Sequence, residues 1–185
     1  VSSGSGAREG ARFKARAKVP VTLESCPHYL AFSKEDVAQK GPFLKVNPSL
    51  KSPEEVERLW DAVQDGTIDL IASEHFPTYR TERERGWEDI WEPYAGLPGI
   101  ETTLEFLASE GVHAGRLSWP RLCELLCARP AQEAGVFPQK GLIREGADAD
   151  VVLLREEERT VSAEDLAYNG GGTPPEGRGG AAGVG

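Results

Sequence analysis

The sequence predicts an α/β fold in which short buried strands are joined by an amphipathic helix, and three segments carry that prediction. Ile68, Leu70, Ile71 and Ala72 run almost without interruption between Gly66 and Pro77, the pattern of a strand covered on both faces of a parallel sheet. Val19, Val21 and Leu23 alternate in VPVTLESC, which predicts a strand over 19–26 ending near Cys26. Between the two, Val56, Leu59, Trp60 and Val63 recur at i, i+3, i+4, i+7, one apolar helix face packed on a sheet. Strand, helix, strand in that order is a parallel crossover unit.

Taken from the start, Arg8, Arg12, Lys14, Arg16 and Lys18 alternate with Ala7, Ala11, Phe13, Ala15 and Ala17 and face only Glu9, so they read as one solvated helix face. Over the whole chain 21 Lys and Arg stand against 30 Asp and Glu, a net charge of −9. Phosphate would be repelled over most of such a surface, which excludes nucleic acid as a general partner. Ser33 is placed to cap a short helical turn. Ser52 opens the main helix: Ser52 and Glu55 have capping-box spacing, Pro53 takes the first helical position and Gly66 lies just past the end.

After the 68–73 strand comes a polar connection of mixed charge from Thr78 to Trp91, then PYAGLPGIET at 93–102. A connection of that length is more often functional than idle. Ile100, Leu104, Leu107 and Ala108 share a helical face, followed by Leu122, Leu125 and Leu126. Of the three cysteines, Cys26, Cys123 and Cys127, none forms a CxxC pair. Cys123 and Cys127 lie beside the leucines, so a buried helix face accounts for them better than a metal or a disulfide. Pro130 starts a short turn that stops at Gly135. Val151 to Leu154 read as a buried strand, and the Gly/Pro-rich end without periodicity is expected to be disordered. No apolar run approaches the roughly 20 residues needed to span a bilayer and no signal peptide opens the chain, so a cytoplasmic protein is expected.

The chemistry-bearing residues fall at the mouth of the 68–73 strand, where Glu74 and His75 follow the apolar run. In barrels and doubly wound folds that end carries the active site, which makes the pair a candidate for metal-assisted chemistry. The alternative is a surface salt bridge or capping pair.

Six motifs in one order then carry a family resemblance: ESCPHYL at 24–30, LKVNPSL at 44–50, DGTIDLIASEHFP at 65–77, PYAGLPGIET at 93–102, Arg129-Pro130 and KGLIREGADADVVLL at 140–154. Together they resemble the cyclic amidohydrolases, the group of dihydroorotase, allantoinase and hydantoinase, over roughly residues 1–168. The resemblance implies the C-terminal portion of a TIM-type (β/α)8 barrel over residues 1–139, part of a small β-domain over 140–168, and a Gly/Pro-rich tail over 169–185. It also implies one or two metal ions, usually zinc, that activate water for attack on a ring amide carbon while a final aspartate takes and returns the proton. The implied ligands are a His-x-His, a carboxylated lysine or aspartate, two more histidines and that aspartate.

Here there is no His-x-His, and His28, His75 and His113 match no family ligand. The opening resembles the segment that follows the last metal histidine, so the chain is expected to be a fragment, inactive alone. Glu74 stands at the aspartate's place as candidate catalytic base and metal ligand, or else as a vestigial carboxylate. Its extra methylene displaces the carboxylate by roughly an ångström, a shift that can cost on the order of 100-fold. Thr78 replaces the substrate-contacting histidine of dihydroorotases. Asn47 matches a dihydroorotase substrate contact, or satisfies its own turn before Pro48. Gly96 lies where relatives contact substrate through the backbone, or serves the turn alone. His75 is expected to make a structural hydrogen bond, His28 to pack or support, and His113 to lie on the surface.

The resemblance thus implies hydrolysis of a small cyclic amide or ureide in a completed protein, most like dihydroorotase. Allantoinase or hydantoinase is the alternative enzyme, and homo-oligomers or a partner amidohydrolase chain are the expected associates. A non-catalytic scaffold and a truncated product are the remaining readings.

Overall fold

The computed structural model describes residues 1–171, 179–180 and 183–184. At its centre, β1 (Glu24–Ser25) and β2 (Leu70–Ile71) pair in parallel, with Glu24 opposite Leu70 and Ser25 opposite Ile71. Backbone bonds from Asp69 N to Leu23 O and from Ala72 N to Ser25 O continue the pairing at both ends. The strands are shorter than the expected 19–26 and 68–73 runs: Val19 is exposed and Val21 only partly buried, and burial in the first run begins at Leu23. The crossover is as the periodicity predicts: α4 (Pro53–Gln64) buries Leu59, Trp60 and Val63, and Gly66 turns the chain with φ +87°.

The predicted Ser52–Glu55 capping box does not form, although Ser52 is the N-cap. Glu55 instead accepts from Ser5 N and Oγ at 2.7 and 2.8 Å, satisfying a first-turn amide of α1 (Gly4–Arg16) that has no intrahelical acceptor. Those two bonds hold the Glu55 carboxyl below its usual range. At this crossing Gly4 lies so close to Arg58 that any Cβ would strike the arginine's Cβ and backbone carbonyl carbon, so glycine sets the approach of the two helices. A full capping box does appear at Ser33, which caps α3 (Lys34–Lys40) while Asp36 Oδ2 accepts from Ser33 N at 2.7 Å.

The basic run on α1 is not wholly solvated. Lys14 Nζ bonds both carboxylate oxygens of Asp69 at 2.6 Å, and Asp69 Oδ2 also accepts from Leu23 N at 2.8 Å. Asp69 is 6% exposed and clamps α1, the approach to β1 and the start of β2 together. Asp69→Ala is expected to destabilise the chain by about 2–3 kcal/mol, because a buried amide and a lysine lose a charged acceptor. Urea denaturation that showed no change in midpoint would refute that role.

The expected 78–91 loop contains α5 (Arg80–Glu84) and a 3₁₀ turn over Arg85–Trp87. α6 (Thr103–Phe106) runs on into a π-helix over Leu107–His113, with Leu107 and Ala108 in the core. Ile100 is 61% exposed, since it precedes the helix instead of sharing its face. α7 (Trp119–Cys123), a π turn over Glu124–Ala128 and α8 (Arg129–Glu133) follow, ending at Gly135 with φ +69°. Leu122 and Leu125 point inward while Cys123 and Cys127 are exposed. Each cysteine lies off the leucine stripe by a helical step, so the expected buried cysteine face is corrected.

β3 (Leu154–Arg155) pairs antiparallel with β6 (Gly183–Val184), and β4 (Arg159–Thr160) with β5 (Gly179–Gly180). The strand expected over 151–154 is not buried: Val151, Val152 and Leu153 are 63%, 62% and 76% exposed, and no ladder bond reaches them among the described residues. Of the tail expected to be disordered, residues 172–178, 181–182 and 185 lie outside the described residues, while β5 and β6 form the ladders just named. Among the described residues no helix is long and apolar enough to cross a membrane.

Candidate active-site cluster

Both strands deliver a polar residue at the same end. Cys26 follows β1 and is the N-cap of α2 (Pro27–Ala31), whose first turn carries His28 and Tyr29. Glu74 lies three residues past β2 with φ +42°, a left-handed conformation that costs a long side chain on the order of 1–2 kcal/mol. The result is a cluster that the linear sequence does not display: one ligating atom each from Cys26, His28 and Glu74 lie within 4.8 Å of one another. Cys26 and His28 are buried, at 3% and 7% exposure, and Glu74 is exposed at the rim.

Burial pushes the Cys26 thiol well above its usual range, and the charge and hydrogen bond of Glu74 push it further. Tyr29 is raised for the same reasons in the same order, burial first and then Glu74. Tyr29 Oη donates to Pro48 O at 3.1 Å and with Leu23, Cys26, Pro48 and Glu74 lines a cleft of about 310 Å³. His28 also lines a smaller apolar pocket of about 40 Å³ with Phe32, Leu97 and Phe106.

Burial lowers His28 from 6.5 to about 4, and its Nε2 is buried with no hydrogen-bond partner among the described residues. Between those two pH values the unfolded chain binds a proton that the folded chain refuses. Stability is therefore full above pH 6.5 and falls as pH drops towards about 4, by about 3 kcal/mol for His28 alone. Chelator-treated His28→Phe should lose that slope in denaturation curves collected across pH; an unchanged slope would rule the histidine out as its source.

The residues singled out in the sequence distribute unevenly around this cluster. Asn47 is exposed, joined by a cis peptide to the cleft-lining Pro48, and does not itself line the cleft. Gly96 has φ +143°, and a Cβ there would meet Phe76 Cβ at 2.5 Å, so the position needs glycine. Its N–H donates to Lys45 O at 3.0 Å and its carbonyl accepts from Arg83 Nη2. His75 points away from Glu74: its Nδ1 accepts from Gly99 N and Ile100 N at 3.2 and 3.3 Å, the structural bonding expected for it. His113 is exposed, its ring edge-on to Trp119.

Thr78 is part of the framework. Its Oγ1 accepts from Arg83 Nε at 2.7 Å, its N–H donates to Tyr168 Oη at 3.0 Å, and its carbonyl accepts from the same hydroxyl. Glu101 accepts from Ala167 N and Tyr168 N at 2.7 and 2.9 Å, which brings residues 167–168 back over the loops that follow β2. Arg83 was invisible in a stretch of mixed charge, yet it is 3% exposed and gathers Thr78 with the carbonyls of Lys45, Tyr94 and Gly96. The overlooked partnership of Cys26 and His28 with Glu74 had one usable signal, the Cys-x-His spacing at the end of a predicted strand.

A parallel crossover with its polar cluster at the strand C-terminal ends is the arrangement of an α/β fold whose sites lie at that end of the sheet. No protein-family model matches it. It is 40% identical over 134 residues to an L-hydantoinase of Paenarthrobacter aurescens, covering 72% of this chain and 29% of that protein. It is 38% identical over 157 residues to a dihydroorotase of Halobacterium salinarum, covering 84% and 36% respectively. An allantoinase of Rubrobacter xylanophilus is 38% identical over 179 residues, covering 96% and 38%. The solved L-hydantoinase (dihydropyrimidinase) from Arthrobacter aurescens superposes with a TM-score of 0.95 at 33% identity, over 100% of this chain and 41% of that one. The chain belongs to the cyclic amidohydrolase family, and its fold is the C-terminal portion of the TIM-type barrel of that family. It spans between 29% and 38% of the length of these curated relatives, and dihydroorotase is only one of several comparably close matches.

Proposed function

We propose that this chain carries the proton-transferring carboxylate of a metal-dependent enzyme that hydrolyses a small cyclic amide or ureide, the rest of the barrel supplying the other metal ligands. The observation that carries this reading is the placement of Glu74 at the end of β2, at the rim of a cleft of about 310 Å³, in a chain of this family. Residues present here suit a metal: Glu74 offers an exposed carboxylate, and beside it lie Cys26 and His28, whose Nε2 has no hydrogen-bond partner among the described residues. When bound, such an ion supplies Lewis-acid polarisation and a more acidic water.

Glu74 takes the proton of the attacking water and hands it to the ring nitrogen as the C–N bond breaks, so that one carboxylate and one N–H replace the amide. The Cys26 thiol lies beside that carboxylate, and Tyr29 fixes the cleft wall through Pro48. Zinc as the ion, a dihydroorotase-like ring, a cytoplasmic setting and a homo-oligomer or partner amidohydrolase chain belong to the same proposal and rest on the resemblance. Hydantoin and allantoin are the alternative rings. A non-catalytic scaffold is favoured by one observation, that Thr78 is committed to Arg83 and Tyr168.

The test joins this chain to a complete barrel, loads it with metal and offers dihydroorotate, hydantoin and allantoin separately. A ring-opened product one water heavier from any of the three supports the enzyme, and none from all three supports the scaffold.

A further inference from the structure

We propose that Cys26, His28 and Glu74 form a three-donor site for a single thiophilic divalent cation of the zinc type, held by this chain alone. The site shares Glu74 with the proposed function but does not depend on ring hydrolysis, and Cys26 and His28 are not among the ligands that the family resemblance implies.

Four observations converge on it. The three ligating atoms lie within 4.8 Å of one another. Around a tetrahedral zinc, with bonds of about 2.0–2.3 Å, neighbouring ligands are roughly 3.3–3.8 Å apart, so closing the site takes a shift of about an ångström. Glu74, exposed at the rim, is the least enclosed of the three donors. Secondly, His28 is 7% exposed and its Nε2 has no hydrogen-bond partner among the described residues, a loss that a native interior rarely tolerates without an ion, a water or a functional reason.

Thirdly, the donors are sulfur, nitrogen and oxygen. Such a mixture selects zinc-type ions over magnesium or calcium, which prefer oxygen alone. Fourthly, the scaffold fixes two of the three. Cys26 and His28 are held by the end of β1 and the first turn of α2, and the register of β1 on β2 brings Glu74 alongside. The 310 Å³ cleft lined by Cys26 and Glu74 provides the way in and leaves a fourth coordination position to water or ligand. On binding, the Cys26 S–H bond is replaced by a sulfur–metal bond and its proton leaves to solvent.

The 185-residue chain, reduced and freed of metal by chelator, is titrated with cobalt(II) as a coloured stand-in for zinc. A thiolate-to-cobalt charge-transfer band in the near ultraviolet should saturate at one equivalent and vanish on adding zinc. Cys26→Ser should abolish the band, while the Cys123→Ser/Cys127→Ser double variant should keep it. His28→Ala and Glu74→Gln should each weaken cobalt binding at least about 10-fold. The proposal is overturned if no band forms, or if it survives Cys26→Ser and disappears in the double variant. Cadmium NMR of the unsubstituted chain reads sulfur coordination directly, so the outcome stands even where Cys26→Ser fails to fold. A cobalt band without ring opening in the completed enzyme leaves this site intact and removes the hydrolytic reading; ring opening without a band does the reverse.

Discussion

Arg83→Ala is expected to cost the chain about 3–5 kcal/mol, because several buried neutral acceptors lose a charged donor together. Arg83 is 3% exposed, and burial lowers the affinity of its guanidinium for the proton, so the position is tolerable only because its donors are matched. Nε serves Thr78 Oγ1 at 2.7 Å, Nη1 serves Tyr94 O at 3.0 Å and Lys45 O at 3.4 Å, and Nη2 serves Gly96 O. Truncation leaves the Thr78 hydroxyl and the Tyr94 and Gly96 carbonyls without this donor, while Lys45 O keeps the Gly96 N–H, and it opens a void among the loops that flank the cleft. Arg83→Lys should recover only part of the loss, since an ammonium lacks the planar fork that reaches several acceptors. Guanidinium denaturation of the three proteins decides it: a shift below about 1 kcal/mol for Arg83→Ala would mean that water replaces the lost donors.

The second large effect is on chemistry. In a completed, metal-loaded enzyme, Glu74→Gln is expected to lower kcat by about 10²–10⁴-fold, the usual contribution of a positioned proton-transfer group. The amide keeps nearly the same size, so thermal unfolding should move little. Glu74→Asp should act in the opposite direction. It retracts the carboxylate by about an ångström towards the family's usual placement, where on the order of 100-fold can be regained. It also suits the backbone, because aspartate tolerates the left-handed region better than glutamate does. Single-turnover rates separate this from binding; full activity in Glu74→Gln would assign the proton transfer elsewhere.

The parts legible in the sequence were those fixed by local rules. The 68–72 run and the α4 stripe are hydrophobic patterns, and burial of Ile68, Leu59 and Val63 follows from them directly. Caps at Ser33 and the stop at Gly135 are equally local. What failed depended on partners distant in sequence. Glu55 had the spacing for a capping box, yet an amide of α1 competes for it. Lys14 looked solvated until Asp69, 55 residues away, came under it. Val151 to Leu153 read as interior by composition, but composition does not say whether a covering face exists. The candidate site divides the same way: Glu74 was legible from its place after a strand, whereas its company of Cys26 and His28 depends on the strand register.

The left-handed backbone at Glu74 also bears on how this position can evolve. Single base changes convert a glutamate codon to aspartate or to glycine. Both residues relax the conformation, by on the order of 1 kcal/mol, but only aspartate preserves a carboxylate. Selection for thermal stability alone is thus expected to drift this position towards glycine, and selection for chemistry towards aspartate. Glutamate sits on the ridge between the two, and a library randomised at this codon and sorted in parallel by each criterion should separate into those populations.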